Sequence, residues 1–225
     1  MGEGGPKKRR RGGETADRLV DSAIVTLRTQ GITGTSARAV ALAADVNQAL
    51  IFYHFDGMDG LLAEACRRNT EQRVAHYRDR FAGVGSLREL LEVGREIHAT
   101  ERAEGNVAVL AQLLAAGQTD PALGRVTADA LNQWVREIEA VLTRVLHDSP
   151  LAEVVDPAGL SRALSAAFVG LELYEGVDAE GGSSALDALD QLGTLVEVVE
   201  ELGPLARRAL RSRIRRTRTA PGEHR

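Results

Sequence analysis

Apolar residues recur along the chain at helical spacing, in blocks separated by Gly, Pro and Asp. Leu19, Val20, Ala23, Ile24 and Leu27 fall at i, i+1, i+4, i+5 and i+8, the buried face of a first helix that Gly31 stops. Ser36 is an N-cap for a short second helix with apolar positions Ala39, Val40 and Ala43, ending at Asp45, a residue type that tolerates the left-handed turn conformation. Asn47 caps a third short helix running through Ile51 to about His54, and Phe55-Asp56-Gly57 breaks it. Two short helices joined by a turn of about four residues and packed on a longer one make a helix-turn-helix unit, here residues 14–57. Beyond it the pattern predicts helices near 58–82, 86–103, 105–117, 121–147, 157–177, 183–202 and 204–215. The breaks fall at Gly83/Gly85, Gly105, Asp120-Pro121, Ser149-Pro150 and Gly181-Gly182, and Asp156-Pro157 is a cap followed by proline at the first helical position.

The fold class expected is therefore all-α: an N-terminal three-helix helix-turn-helix DNA-binding domain and a larger helical domain for ligand binding and dimerisation. The boundaries expected are a disordered basic arm at 1–13, the DNA-binding domain at 14–62, the larger domain at 63–215 and a disordered tail at 216–225. Composition agrees, since 44% of the 225 residues are hydrophobic but only 4% aromatic, the balance of an Ala/Leu/Val-rich helical protein. The net charge of −4 argues against nucleic acid until it is divided along the chain. Residues 1–13 carry +4 and residues 205–225 carry +7, which leaves −15 between them, an acidic globule with basic ends able to meet a polyanion.

A lone cysteine, Cys66, forms no internal disulfide, and the polar, basic start has no apolar stretch of signal-peptide length, so a cytoplasmic location is expected. No window approaches the roughly 20 apolar residues that span a bilayer, so no membrane partner is expected. Cys66, His76 and His98 lack metal-ligand spacing, and Gly83-Val-Gly85-Ser lacks the second glycine and lysine of a phosphate loop. Neither a metal, a cofactor nor a catalytic residue is expected, and the chain does not read as an enzyme.

The stretch from Thr35 to Phe55, followed by Leu61-Leu62, resembles the DNA-binding domain of the TetR family. The resemblance rests on the capped second helix, the turn ending in Val46, the Phe52-Tyr53-His54-Phe55 run and the leucine pair, and it covers residues 14–62. The residues themselves point the same way. A helix laid in the major groove needs small or amide side chains at its exposed N-terminal end, and Asn47, Gln48 and Ala49 supply them. Gln48 suits bidentate pairing with adenine, while Ala49 or Leu50 suits a thymine methyl, Leu50 because Val46, Ile51 and Phe55 already form the inward stripe. The resemblance implies that Arg38 reads a base or touches the backbone and that Ser36, Tyr53 and His54 hold phosphates, contacts that position without specifying. Phe52 and Phe55 read as core. Three positions depart from the family pattern: Met58 replaces a lysine, Phe52 a tyrosine, and Asp45 the turn glycine. The Lys7–Arg11 run is a candidate to restore the missing charge along or in the minor groove.

Two late helices read as pairing surfaces, with Leu164, Ala167, Phe168, Leu171 and Tyr174 on one and Leu189, Leu192, Leu195, Val196 and Val199 on the other. The resemblance implies that they form a four-helix interface in a homodimer. Between motif and interface, Tyr77, Phe81, His98, Asn106, Gln112, Trp134 and Glu172 place polar and aromatic groups on apolar helices, the composition of a small-molecule pocket. The function expected is a one-component regulator, a repressor that binds a palindromic double-stranded DNA operator as a dimer and is released by a small-molecule effector. The rivals are a dimeric DNA-binding regulator without a ligand, and a helical enzyme or carrier that has lost its operator.

Overall fold

The computed structural model describes residues 6–147, 149–153 and 155–200, together with eight of residues 202–213. Among them are nine α-helices, one short 3₁₀ turn at Pro150–Glu153 and no strand, so the all-α expectation holds. In chain order they are α1 (Pro6–Gly34), α2 (Ala37–Ala43), α3 (Ala49–Phe55), α4 (Met58–Gly83), α5 (Leu87–Ala103), α6 (Asn106–Gly117), α7 (Pro121–Leu146), α8 (Pro157–Glu175) and α9 (Ala179–Glu200). Helix α1 starts earlier than expected, so residues 6–13 are helical rather than a disordered arm, and the side chains of Lys7–Arg11 lie outside the described residues. The expected 204–215 helix falls partly, and the 216–225 tail wholly, outside them.

Local chemistry sets the helix starts. Asp156 accepts hydrogen bonds from the Ala158 and Gly159 amides with Pro157 at the first helical position of α8, and Asp120 does the same for Ala122 and Leu123 ahead of α7. At α5, Ser86 Oγ accepts from the Glu89 amide while Glu89 Oε2 reaches back to the Gly85 amide at 2.7 Å, a variant of the capping box. Helix α1 breaks at Gly31, whose φ of 70° only glycine adopts cheaply, and this frees the Ile32 amide from the helical ladder.

The chain forms two compact units, residues 1–75 with 100–133, and 76–99 with 134–225. The division differs from a boundary at residue 62, because the end of α5, all of α6 and the first half of α7 pack with the DNA-binding motif. In the first unit, Leu19, Val20, Ala23, Val40, Ala41, Ala44, Ile51, Leu61 and Ala65 make one core, with Val46, Leu50, Phe55 and Met58 against it. A second core joins Leu27, Leu62 and Cys66 to Leu113 and Leu123, so α6 and α7 close over α1 and α4. Arg68 on α4 also pairs with Asp17 on α1 at 2.8 Å. In the second unit Tyr77, Phe81, Val84, Leu90, Val93, Val141, Leu142 and Leu146 form the core, with Trp134 and Leu164 packed on it.

Candidate nucleic-acid interface

Helix α2 begins at Ser36, whose Oγ accepts from the Ala39 amide at 3.2 Å, leaving the hydroxyl proton for an outside acceptor. The turn that follows is a Schellman motif. Asp45 stands at φ 52°, its amide donates to Leu42 O, and the Val46 amide donates to Ala41 O at 3.0 Å. Val46 packs on the same core as Ala41, the apolar contact that accompanies this motif. Asp45 thus occupies the left-handed position that glycine would take most cheaply.

Helix α3 starts with an Asx turn, Asn47 Oδ1 accepting from the Ala49 amide at 2.8 Å. This uses the oxygen of the Asn47 amide, so the group presents a donor rather than the donor–acceptor pair that reads adenine. Gln48 and Ala49 are exposed, and the Gln48 side chain makes no hydrogen bond among the described residues, which leaves both edges of its amide available. Arg38 on α2 is likewise exposed and without an ion pair among the described residues. Tyr53 is 80% exposed, and its ring meets that of the half-buried His54 in a T-shaped contact, 4.9 Å between centroids. Ser36, Arg38, Asn47, Gln48, Ala49 and Tyr53 therefore all present polar or small groups to solvent, on and just ahead of two short helices.

Two residues face otherwise than expected. Phe52, read as core, is 61% exposed, its ring beside Gly57, while Leu50, read as outward, is half-buried against the motif core. Phe55 does pack on that core. Helix α3 ends at Asp56 with φ 58° and Gly57 with φ 122°, and α4 closes on it so tightly that a methyl at Gly60 would run into the Phe55 carbonyl. Leu42, 80% exposed at the end of α2, had no signal in the sequence beyond lying off the apolar stripe.

The expected effector residues divide between the two units. In the second unit Tyr77 and Phe81 pack beside Trp134, with ring centroids 5.9 and 6.4 Å away, and His98 lies between Glu172 and Glu175, with Nδ1 to Glu172 Oε1 at 3.4 Å and Nε2 to Glu175 Oε2 at 2.7 Å. In the first unit Gln112 Oε1 accepts the freed Ile32 amide at 2.6 Å, and Asn106 donates to Glu101, the carboxylate that also pairs with Arg73. Gln112 and Asn106 thus tie helices together within the first unit.

The expected pairing stripe on α8 also divides. Leu164 packs on the second unit's core and Phe168 on α5, where a methyl on Gly94 would lie 2.6 Å from its ring. Ala167 and Tyr174 face solvent, and with Ala163, Ala166, Gly170, Leu173 and Val177 they make a continuous exposed apolar stripe; Leu171 is half-buried. On α9, Leu195 and Val198 are exposed, Leu189 is half-buried, and the side chains of Leu192, Val196 and Val199 lie outside the described residues.

Residues 19–65 match the family model described as bacterial regulatory proteins, tetR family. Among curated proteins, a probable HTH-type transcriptional regulator, YttP, of Bacillus subtilis (strain 168) is 44% identical over 48 residues, which is 21% of this chain and 23% of that protein's length. Among solved structures, a protein assigned to the TetR family from Rhodococcus sp. superposes with a TM-score of 0.65 at 24% identity, covering 84% of this chain and all of that one. The multidrug binding protein EbrR, solved with imidazole, gives a TM-score of 0.54 at 28% identity over 77% of this chain and 93% of its own. Among the described residues no helix is long and apolar enough to cross a membrane.

Proposed function

We propose that this chain, whose residues 19–65 match the TetR family model, is a TetR-type regulator: a cytoplasmic homodimeric repressor that grips a palindromic operator and releases it on binding a small molecule. The observation that carries the DNA-reading part is the surface around α3. Arg38, Gln48 and Ala49 are exposed, their side chains uncommitted among the described residues, while Val40, Ala41, Ala44 and Ile51 behind them are buried in one core. In this reading Gln48 and Arg38 meet base edges, and Ser36, Asn47, Tyr53 and His54 donate to phosphates. Leu50 supports α3 from behind, and Phe52 takes its place on the exposed side.

Dimerisation is supported by the exposed apolar stripe on α8 and by Leu195 and Val198 on α9, surface that a lone protomer leaves in water. A dimer also supplies the second reading helix that one seven-residue helix needs for specificity. The effector reading is supported by the aromatic cluster of Tyr77, Phe81 and Trp134 and by the acidic groups around His98 in the second unit. A gel shift of the protein on its own upstream intergenic DNA, repeated with candidate ligands that change Trp134 fluorescence, tests the whole reading. Saturable binding that a ligand weakens is the expected result. Tight binding that no ligand alters selects the ligand-free dimeric regulator, and no binding to any duplex refutes both.

A further inference from the structure

Arg18 lies on α1, 26 residues before the turn it touches. Its Nη2 donates to the Ala44 carbonyl and, at 3.2 Å, to the Asp45 carbonyl. These are the C-cap of α2 and the left-handed residue after it. The Schellman bonds take up the Ala41 and Leu42 carbonyls but leave those of Ala44 and Asp45 without a backbone donor, and the guanidinium supplies two. The same cation lies 3.9 Å from the Asp45 carboxylate, but with the two side chains 52% and 101% exposed this ion pair contributes little. The hydrogen bonds to the turn backbone are therefore the stronger link.

We propose that Arg18 is a positioning residue for DNA reading: it holds the turn between α2 and α3 in the left-handed geometry that a glycine would otherwise supply, and so fixes the angle of the reading helix. Asp45 adopts φ 52° at a cost that glycine does not incur. A guanidinium that bonds both flanking carbonyls offsets that cost only when the turn is closed. Without it the turn samples other conformations, and α3, anchored N-terminally through this turn, loses its fixed direction. The inference rests on α3 being the reading helix, and the wild type's own preference between two duplexes tests that premise separately.

The experiment compares wild type, Arg18→Ala, Asp45→Gly and the double variant on a duplex selected by the wild type from a random library and on an unselected duplex. Arg18→Ala is expected to lose about tenfold affinity for the selected duplex only, with the salt dependence unchanged, and Asp45→Gly is expected to recover most of that loss in the double variant. Amide exchange at Val46 should accelerate in Arg18→Ala and slow again in the double variant, a readout that needs no DNA. An Arg18 that instead held a phosphate would weaken both duplexes alike, lower the log–log salt slope by about 0.9, and resist rescue. That result, or an Arg18→Ala protein that binds like wild type, overturns the proposal. Should Arg18→Ala fail to fold, Arg18→Met, which keeps an unbranched stem and carries no donor for either carbonyl, replaces it in the same cycle. A wild type that prefers neither duplex refutes the reading premise and this role with it.

Discussion

Cys66 offers a direct measure of how firmly the DNA-binding motif is joined to α6 and α7. It is 7% exposed in the core that also contains Leu27, Leu62, Leu113 and Leu123, and burial pushes its thiol from 9.0 up to about 11. At pH 8 a thiol at 9.0 is about one-tenth thiolate and a thiol at 11 about one-thousandth, so ionisation alone slows reaction with a disulfide reagent by about 100-fold. Closure of the surrounding side chains slows it further, so labelling proceeds through opening of this core and its rate reports the opening free energy. The folded protein also keeps its proton where the unfolded chain loses it. The corresponding stability is intact below about pH 9 and is lost as pH rises towards 11, about 3 kcal/mol in all from two units at 1.36 kcal/mol each. Labelling with a chromogenic disulfide at pH 8, with and without urea, measures the first effect, and urea midpoints between pH 8 and 10.5 measure the second. Native Cys66 reacting at the unfolded-chain rate would refute the closed core, and a midpoint independent of alkaline pH would refute the raised thiol.

Gln112→Leu removes the acceptor of the Ile32 amide and should cost about 1–3 kcal/mol in urea unfolding, whereas Gln112→Glu keeps an acceptor oxygen and should cost less. Arg73→Ala removes the cation beside Glu101, whose side chain is largely buried and keeps the Asn106 amide as a donor, and should cost about 3 kcal/mol, while Arg67→Ala, which breaks exposed pairs with Glu64 and Glu71, should stay within about 1 kcal/mol; thermal melts compare the two. The Arg67 guanidinium holds the Glu64 carboxyl below its ordinary range, so the contribution of that pair is present at neutral pH and fades on acidification as Glu64 protonates. Tyr174→Asp should give folded monomers in sedimentation, but Phe168→Ala, which empties the contact over Gly94, should lower stability by about 1–3 kcal/mol because the half-buried ring packs against α5.

Helix existence was legible wherever an apolar stripe ran for several turns, and so were the starts at Ser36, Asp120 and Asp156, because a cap acts on amides only two or three residues away. The facing of α3 was not. On a seven-residue helix the stripe Val46, Ile51, Phe55 gives a mean direction, with Leu50 and Phe52 each 100° to one side of Ile51. Which flank is covered depends on how α3 docks on α1 and α2, and it docks on the Leu50 side. Phe168 on α8, expected on the pairing surface, lies against α5 for the same reason, since one face of that helix meets α5 and another meets solvent. Gln112 and Asn106, expected to face an effector, carry a different ambiguity. Polar residues on an apolar helix signal that some polar partner is near, but not whether it is a ligand or a freed amide 80 residues away. Arg18 carried no signal, because its partners are backbone carbonyls and any sequence supplies those.

In the proposed function, these placements restrict the route by which an effector would act. The aromatic and acidic groups proposed to hold a ligand lie in the second unit, while α3 and the Gln112 link to α1 lie in the first. Helices α4, α5 and α7 each contribute residues to both units, since the units divide at residues 75/76, 99/100 and 133/134. Tyr77 and Phe81 stand on α4 and Trp134 on α7, so a ligand that displaces these rings acts on backbone that continues without a break to Leu61, Leu62 and Leu123 in the first unit. A helix passes on a shift of its axis because its hydrogen bonds resist local deformation, whereas a change confined to side chains is absorbed within a turn or two. An effector that rearranges only the His98 group, on α5 and α8, has one such helix to work through; one that wedges Trp134 from Tyr77 has two, and is the stronger lever on the reading helix.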